Sequence, residues 1–315
     1  INKNGKIINE IGDPDYITFW RSAAKPFQVL PVILSGAADA YKFTEKEIAV
    51  MTASHNGEKR HLKVVGSILD KIGLNSAALK CGIHWPSQKS VVRETLTQGQ
   101  KFSSLHNNCS GKHAGFLAVS QYKNWDLNDY YQKGHPLQEM IIKIISEITE
   151  LPQSKIKTGI DGCGAVVFGL PLSRMALAYM KLANPEILPP KYRTAAKIIT
   201  DSMEQYPEMV GGNKRFNTDL INVTGDKLTA KSGAEGVFCL GIHNDITKKG
   251  IGIAIKVSDG SKRAIPPVTV EVLDQLGVLS QTELQKLKKY HYPIIKNNLE
   301  QKVGKVKPNF KIKKR

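Results

Sequence analysis

Cysteine is scarce in this chain. Its 315 residues include four cysteines, and no two of them form a C-x-x-C pair. A fold held together by disulfides needs a denser set of paired cysteines than this. The sequence therefore predicts reduced thiols, and we expect a protein of the cytoplasm.

The chain also lacks long hydrophobic runs and has fewer acidic than basic residues. No stretch of about 18 apolar residues occurs, so no membrane-spanning helix is predicted. The chain has 28 Asp and Glu against 45 Lys and Arg, a formal net charge of +17 that is typical of nucleic-acid-binding proteins. However, eleven of the basic residues and only one acidic residue follow position 285, so the first 285 residues carry +7. We interpret residues 301–315 as a solvated basic tail and expect neither a nucleic-acid nor a membrane partner.

The chain does contain enough apolar residues for a large core. It is 41% hydrophobic and 23% charged. This profile predicts one large unit or two intimately joined ones. We expect a sheet subdomain at about residues 1–35 and 160–300, a helical subdomain at about 36–159, and the site in the cleft between them.

The spacing of apolar residues predicts an α+β fold, with an antiparallel sheet flanked by helices and a large helical insertion. Two strand-like runs, 5–10 and 15–20, flank a Gly-Asp-Pro-Asp turn and predict an N-terminal hairpin. Thr44 and Glu47 form a predicted capping box at the start of a helix. The other predicted elements are a strand at 165–170, helices at 173–183, 192–205 and 262–278, and a three-stranded meander at 227–231, 236–241 and 250–257. We expect this meander to rejoin the N-terminal strands.

Ser22 and Lys25 stand three residues apart in the stretch RSAAKPF. At helical spacing, residues i and i+3 share a face, so the amine can reach the hydroxyl. A serine hydroxyl is a poor nucleophile until a neighbouring base takes its proton, and a neutral lysine can serve as that base. The pair is our candidate nucleophile and base. The ordinary alternative is an N-cap serine followed by a solvated lysine.

Two further stretches follow this pair in a fixed order. The first contains Ser54 and Asn56 in Ser-His-Asn, and the second is Lys231-Ser232-Gly233. The order S-x-x-K, S-x-N, K-[ST]-G is the one that penicillin-recognising serine enzymes use. Ser54 and Lys231 would relay protons, and repulsion from Lys231 would keep Lys25 neutral. The alternative interpretation is two turn residues and a surface lysine.

Two glycine-flanked cysteine motifs, NNCSGKHAG at 107–115 and DGCG at 161–164, complete the set. Together with RSAAKPF, ASHNGE and KSGAEG, in this order, they closely resemble the L-asparaginase II family, the asparaginases similar to those of rhizobia. The resemblance covers about residues 5–280. It implies a fold like that of glutaminases and penicillin-recognising proteins, and hydrolysis of L-asparagine to L-aspartate and ammonia.

The resemblance also implies roles for individual residues. Ser22 and Lys25 would form one serine–lysine pair, and Ser54 and Lys231 a second. Asp161 would bind the α-ammonium group of the substrate. The residues that match a family site able to hold zinc close to the substrate are Cys109, Lys112 and Cys163.

Several expectations accompany these roles. The chemistry should require no cofactor, and zinc would be a modulatory ion that shapes the pocket. The alternative for the cysteines of the zinc site is that they are small buried hydrophobic residues. Arg21 is a candidate partner for the substrate carboxylate, and Asn56 is a further candidate for substrate binding. Asn217 stands where relatives can carry cysteine. We also expect a homodimer that acts on a small molecule.

The predicted mechanism is acyl transfer. Ser22 attacks the side-chain amide, Lys25 takes its proton, and ammonia leaves with a proton relayed through Ser54 and Lys231. The backbone N–H of Ser22 and one N–H after Lys231 are candidate oxyanion donors. The first alternative is another serine hydrolase of the same fold, such as a glutaminase, β-lactamase or D-alanyl peptidase. The second is a non-catalytic binding protein that uses the basic tail.

Overall fold

The computed structural model describes residues 1–247 and 250–312, so the last three residues of the predicted basic tail lie outside the described part. The α-helices are α1 Lys25–Leu34, α2 Ala37–Ala40, α3 Glu45–Met51, α4 Lys59–Lys71, α5 Lys89–Thr97, α6 Ser110–Tyr122, α7 Pro136–Thr149, α8 Leu172–Ala183, α9 Pro190–Gln205, α10 Pro207–Val210, α11 Phe216–Thr224, α12 Asn244–Thr247, α13 Ile265–Gln275 and α14 Gln281–His291. Short 3₁₀ turns lie at Arg21–Ala24, Ser76–Ala78, Ser104–His106, Gln153–Lys155, Pro185–Ile187, Gly225–Lys227 and Lys262–Ala264. The strands are β1 Ile17–Phe19, β2 Lys157–Ile160, β3 Val166–Pro171, β4 Leu228–Gly233, β5 Val237–Ile242, β6 Ile251–Lys256, β7 Ile294–Lys296 and β8 Lys302–Lys305.

The strands form small antiparallel sheets, so the fold mixes helix and sheet as an α+β protein does. One sheet has the order β1-β3-β2, the second is the meander β4-β5-β6, and β7 pairs with β8. The predicted meander, the strand at 165–170 and the helices at 173–183, 192–205 and 262–278 are all present within one to three residues at most boundaries. The capping box is also confirmed, because Thr44 Oγ1 accepts from the N–H of Glu47 while Glu47 Oε2 accepts from the N–H of Thr44 at 2.7 Å.

Two predictions about the sheets are wrong. Residues 5–10 form no strand, and β1 pairs instead with β3, where Phe19 lies opposite Gly169. The meander does not pair with β1; near the N-terminus it forms an isolated bridge between Asn2 and Ile251, together with hydrogen bonds between Ile1 and Gly252. The physical reason is that turn composition marks where a chain reverses, whereas the partner of a strand is chosen by packing between distant segments.

Strand β5 is buried along its whole length, and it divides two hydrophobic cores. Val237 and Cys239 point into a first core built mainly from the helices between residues 23 and 203. Phe238, Leu240 and Ile242 point into a second core beneath α11, α13 and α14. Because side chains alternate along a strand, the meander is covered on both faces.

Helix α8 approaches the meander closely because two glycines face it. A Cβ atom at Gly241 would lie 2.0 Å from the carbonyl oxygen of Tyr179, and one at Gly252 would lie 1.9 Å from that of Ala176. No side chain fits at such distances, so this helix–sheet contact requires glycine. Within the described ranges, no helix is long and apolar enough to cross a membrane.

Candidate active site

The segment that carries Ser22 links β1 to α1. Trp20 still donates its N–H to Phe168 on β3, at 2.8 Å, before the chain turns into the 3₁₀ turn Arg21–Ala24. The backbone of Gly233, at the end of β4, lies against this turn, since a Cβ atom there would be 2.8 Å from the carbonyl oxygen of Trp20. The fold therefore brings the first and last predicted motifs side by side.

Ser54 lies between two buried lysines. Lys25 Nζ and Lys231 Nζ each lie 3.1 Å from Ser54 Oγ. Both lysines are only 1% exposed. Neither makes a salt bridge to an acidic residue in the described part of the chain. A buried cation without a counter-ion is unfavourable, so two such amines side by side favour a state in which at least one of them is neutral.

The amine with the lowered pKa is that of Lys231. Burial, followed by the charges of Lys25 and Arg215, holds the pKa of this lysine well below its usual range. Lys231 Nζ also lies 3.0 Å from the carbonyl oxygen of Ser232. The sequence had indicated Lys25 as the neutral amine, and that stays a prediction. The structure adds that Lys231 lies in an environment that favours its own neutral form.

Backbone and side-chain contacts fix Ser54 in place. Its N–H donates to the carbonyl oxygen of Val210 at 3.0 Å, and the next residue, His55, donates its N–H to Asn108 at 3.3 Å. His55 Nδ1 accepts the N–H of Gly57, so its Nε2 carries the proton and donates to Ser110 Oγ at 2.9 Å. His55 therefore ties the Ser-His-Asn segment to the start of α6, a role that the sequence did not reveal.

Ser22 lies one turn before Lys25, whose N–H donates to the carbonyl oxygen of Ser22. The serine is half-buried, and its hydroxyl makes no hydrogen bond to another described residue. The structure thus joins Lys25, Ser54 and Lys231 directly through hydrogen bonds. The hydroxyl of Ser22 is not part of this hydrogen-bonded set.

Arg21 and Asp161, both predicted to bind substrate, bind each other. Arg21 Nε and Nη2 each lie 2.8 Å from Asp161 Oδ1, and Arg21 Nη1 lies 2.8 Å from Glu235 Oε1. Burial works against the charge of Asp161, but Lys112 and Arg21 hold the pKa of this carboxyl below its usual range. Asp161 is therefore an ionised carboxylate beside Ser22, and Glu235 is a partner that the sequence had not singled out.

The CSGKH motif begins α6, which presses closely against α3. A Cβ atom at Gly111 would lie 2.1 Å from the carbonyl oxygen of Val50. This contact places Lys112 so that its Nζ lies 3.3 Å from Cys163 Sγ. A hydrogen bond from Cys109, helped by the charge of Lys112, lowers the pKa of the Cys163 thiol to about 5 despite its burial. The three residues of the predicted zinc site therefore lie together, and one of them, Cys163, is two residues along the chain from Asp161.

The spacing of two of their donor atoms is compatible with a shared zinc ion. Two ligands of one tetrahedral zinc lie roughly 3.5 Å apart, which is close to the distance between Lys112 Nζ and Cys163 Sγ. Among residues 1–247 and 250–312, no group of three or more His, Cys, Asp or Glu is placed to hold a metal. A zinc ion here would therefore take lysine as its third protein ligand, after losing the ammonium proton.

Asn56 is fully engaged with protein atoms. Its Nδ2 lies 2.7 Å from Gln88 Oε1 and 3.0 Å from the carbonyl oxygen of Asn213, and its Oδ1 accepts from Arg215 Nη1 at 3.3 Å. The side chain is 1% exposed. Asn56 therefore ties the Ser-His-Asn segment to Gln88, Asn213 and Arg215.

Fold and site together define the class of this protein: an α+β protein whose motifs converge on a buried cluster of one serine and two lysines. The chain belongs to the L-asparaginase II family, whose sequence model matches residues 1–308. The resemblance drawn from the five motifs is thereby confirmed. The family implies an amidohydrolase with a small-molecule substrate, L-asparagine. A search of curated proteins finds no match.

Proposed function

We propose that this protein is an L-asparaginase that works through a serine acyl-enzyme. The observation that carries the proposal is the bridge from Lys25 through Ser54 to Lys231, in which two buried amines share one hydroxyl. The Ser22 hydroxyl stands one turn away without a protein partner. The same arrangement of motifs supports a fold of the penicillin-recognising and glutaminase type.

The first step is attack by Ser22 Oγ on the side-chain amide carbon of the substrate. Lys25 takes the serine proton and passes one of its own to Ser54, and Ser54 passes its proton to neutral Lys231. A tetrahedral adduct on Ser22, whose former carbonyl oxygen carries the negative charge, and a protonated Lys231 result. The proton then returns along the same chain to the amide nitrogen, the C–N bond breaks, and ammonia leaves behind an aspartyl ester on Ser22. Water releases aspartate from Ser22 by the reverse path.

Recognition of the amino acid rests on charge. Asp161 is ionised, partly buried and beside the Ser22 turn, so it is suited to hold an α-ammonium group. Cys109, Lys112 and Cys163 would hold a zinc ion next to this carboxylate. When bound, the ion would supply positive charge that fixes the pocket and tunes affinity, since the serine and the lysines already provide nucleophile and base.

Ammonia release from a panel of amides tests the proposal. We expect L-asparagine to be hydrolysed, and Ser22→Ala to lose roughly 10³-fold or more in kcat while remaining folded. Ser90→Ala, on the exposed face of α5, is the matched control and should behave as wild type. Adding L-glutamine and a chromogenic β-lactam to the panel separates asparaginase from the other hydrolases of this fold. Undiminished turnover by pure Ser22→Ala would contradict the assignment.

A further inference from the structure

Arg215, immediately before α11, is a cation without an acidic partner. Its Nη1 lies 3.3 Å from Asn56 Oδ1 and 3.2 Å from Ser87 Oγ, both neutral acceptors. No salt bridge joins it to any acidic residue in the described ranges, in contrast with Arg21, which contacts two carboxylates. A partly buried guanidinium that lacks a counter-ion is a group that an anionic ligand would stabilise.

The acidic side chain linked to Arg215 through Asn56 already has other partners. Glu58 Oε1 accepts from the N–H of Asn213 at 2.7 Å, and its Oε2 lies 3.1 Å from Arg60 Nε. Glu58 is linked to Arg215 indirectly, because Asn56 Nδ2 lies 3.4 Å from Glu58 Oε1 while Asn56 Oδ1 accepts from Arg215. In the described ranges, Glu58 therefore pairs with Arg60, and no carboxylate forms an ion pair with Arg215.

Arg215 also stands close to the catalytic cluster. It bonds Asn56, two residues after Ser54, and the helix that it precedes packs against β4, which carries Lys231. The charge of Arg215 contributes to the lowered pKa of Lys231 and, after burial, to that of Lys262. Arg215 and Lys262 thus add positive potential to the side of the site that faces Lys231.

A second polar side chain, in the first turn of α11, has no hydrogen-bond partner in the described ranges. Asn217 is 5% exposed, and neither its Nδ2 nor its Oδ1 makes a hydrogen bond. Buried amides in folded proteins are almost always hydrogen-bonded. An unpartnered amide two residues from an unpaired guanidinium is the pattern expected where a polar ligand completes the site.

We propose that Arg215 binds the α-carboxylate of the amino-acid substrate, opposite the carboxylate of Asp161 that takes the α-ammonium group. This inference rests on the proposed asparaginase function and makes Arg215 a specificity-determining residue. Arg21 then has a different role, because by bridging Asp161 and Glu235 it holds the acidic side of the site in place.

The test compares two substrates in Arg215→Gln and wild type. L-Asparagine carries the α-carboxylate, and 3-aminopropanamide is the same amide without it. We expect Arg215→Gln to raise KM for L-asparagine by about 10- to 100-fold with little change in kcat, because a hydrogen bond to a charged group is lost. On 3-aminopropanamide, kcat/KM of the two enzymes should agree. Arg215→Lys should recover part of the affinity.

Lys214→Gln is the matched control, since it removes one charge from the exposed neighbouring residue. It should leave KM for L-asparagine within about twofold of wild type. Equal losses on both substrates in a folded Arg215→Gln variant, or no loss on either, would overturn the inference. Folding is checked by circular dichroism and thermal unfolding.

Calorimetric titration with L-aspartate separates this inference from the proposed function. It measures carboxylate binding without any turnover, so it applies even if no amide is hydrolysed. We expect wild type to bind L-aspartate and Arg215→Gln to bind it at least about tenfold more weakly. If wild type releases no ammonia, the function fails; if both proteins bind L-aspartate equally, the role of Arg215 fails.

Discussion

At the scale of single residues, the protonation of Lys231 decides whether the site can act. Its environment favours the neutral amine, because burial and the nearby charges of Lys25 and Arg215 lower its pKa. In the proposed relay, the neutral amine accepts a proton from Ser54 when Ser22 gives its proton to Lys25. A protonated Lys231 has no lone pair to offer and blocks the relay.

The pH dependence of kcat/KM follows from the requirement that Lys231 be neutral. Below the lowered pKa of Lys231 the amine is protonated, so activity should fall as pH falls through that pKa and rise on the alkaline side. Initial rates with L-asparagine across the pH range, with the fold followed by circular dichroism, measure it. Lys231→Arg should be inactive at every pH, because a guanidinium does not lose its proton. A profile that falls between about pH 6 and pH 9 in folded enzyme would contradict the role of Lys231.

Cys109 tests whether zinc is needed for the chemistry. In metal-stripped enzyme, or in Cys109→Ser, we expect KM for L-asparagine to rise by about 10-fold or more while much of kcat remains. Elemental analysis must show that the zinc content has fallen together with the affinity. Cys81→Ser, at a buried cysteine that is not among the proposed zinc ligands, is the control and should keep both. A metal-free, folded enzyme with no turnover at any substrate level, restored by zinc alone, would instead indicate a zinc hydrolase.

At the scale of elements, the site depends on how closely α6 approaches α3. Gly111→Ala would bring a Cβ atom against the carbonyl oxygen of Val50, so the helix must shift and carry Lys112 with it. We expect a loss of about 1–3 kcal/mol in the free energy of unfolding, together with weaker substrate binding. Chemical denaturation and saturation kinetics measure the two effects.

Gly66→Ala provides the comparison for this change. Gly66 lies inside α4, and apart from its chain neighbours and the backbone of its own helix, a Cβ atom added there would meet no described atom within 4 Å, so alanine fits without a clash. Because alanine favours a helix over glycine, the variant should gain about 0.5–1 kcal/mol and keep full activity. If both variants lost stability equally, the close contact between α6 and α3 would not be the cause.

The sequence predicted what local patterns encode. The capping box at Thr44, the meander and the motif that contains Ser54 could all be identified from residue spacing. The pairing of β1 with β3 could not, because it depends on residues about 150 positions apart. The same limit applied within the site: motifs identified both lysines, but only burial and neighbouring charges show that the lowered pKa belongs to Lys231. The sequence did not single out Arg215, because the feature that matters is its lack of an acidic partner, which only the structure reveals.

At the scale of the whole molecule, the two cores share β5 and cannot be separated along the chain. The last described residues also return to the fold, where Gln275 on α13 accepts the N–H of Ile312 at 2.6 Å and donates to the carbonyl oxygen of Phe310 at 3.0 Å. The homodimer and the cytoplasmic location stay predictions. So does the division into a sheet subdomain and a helical subdomain joined as one unit.

That last prediction can be tested with a substitution confined to the second core. Leu273 on α13 is fully buried there, and Leu273→Ala should cost about 2–5 kcal/mol. Tryptophan fluorescence reports mainly on the first core, because Trp20 is buried in it and Trp125 packs against it, while the third tryptophan, Trp85, is 60% exposed. If β5 couples the cores into one cooperative unit, the denaturation midpoints from fluorescence and from far-ultraviolet circular dichroism should fall together. Leu299→Ala, at a side chain that is 76% exposed, should move neither. A fluorescence midpoint that stays at the wild-type value while the dichroism transition splits would mean that the cores unfold independently.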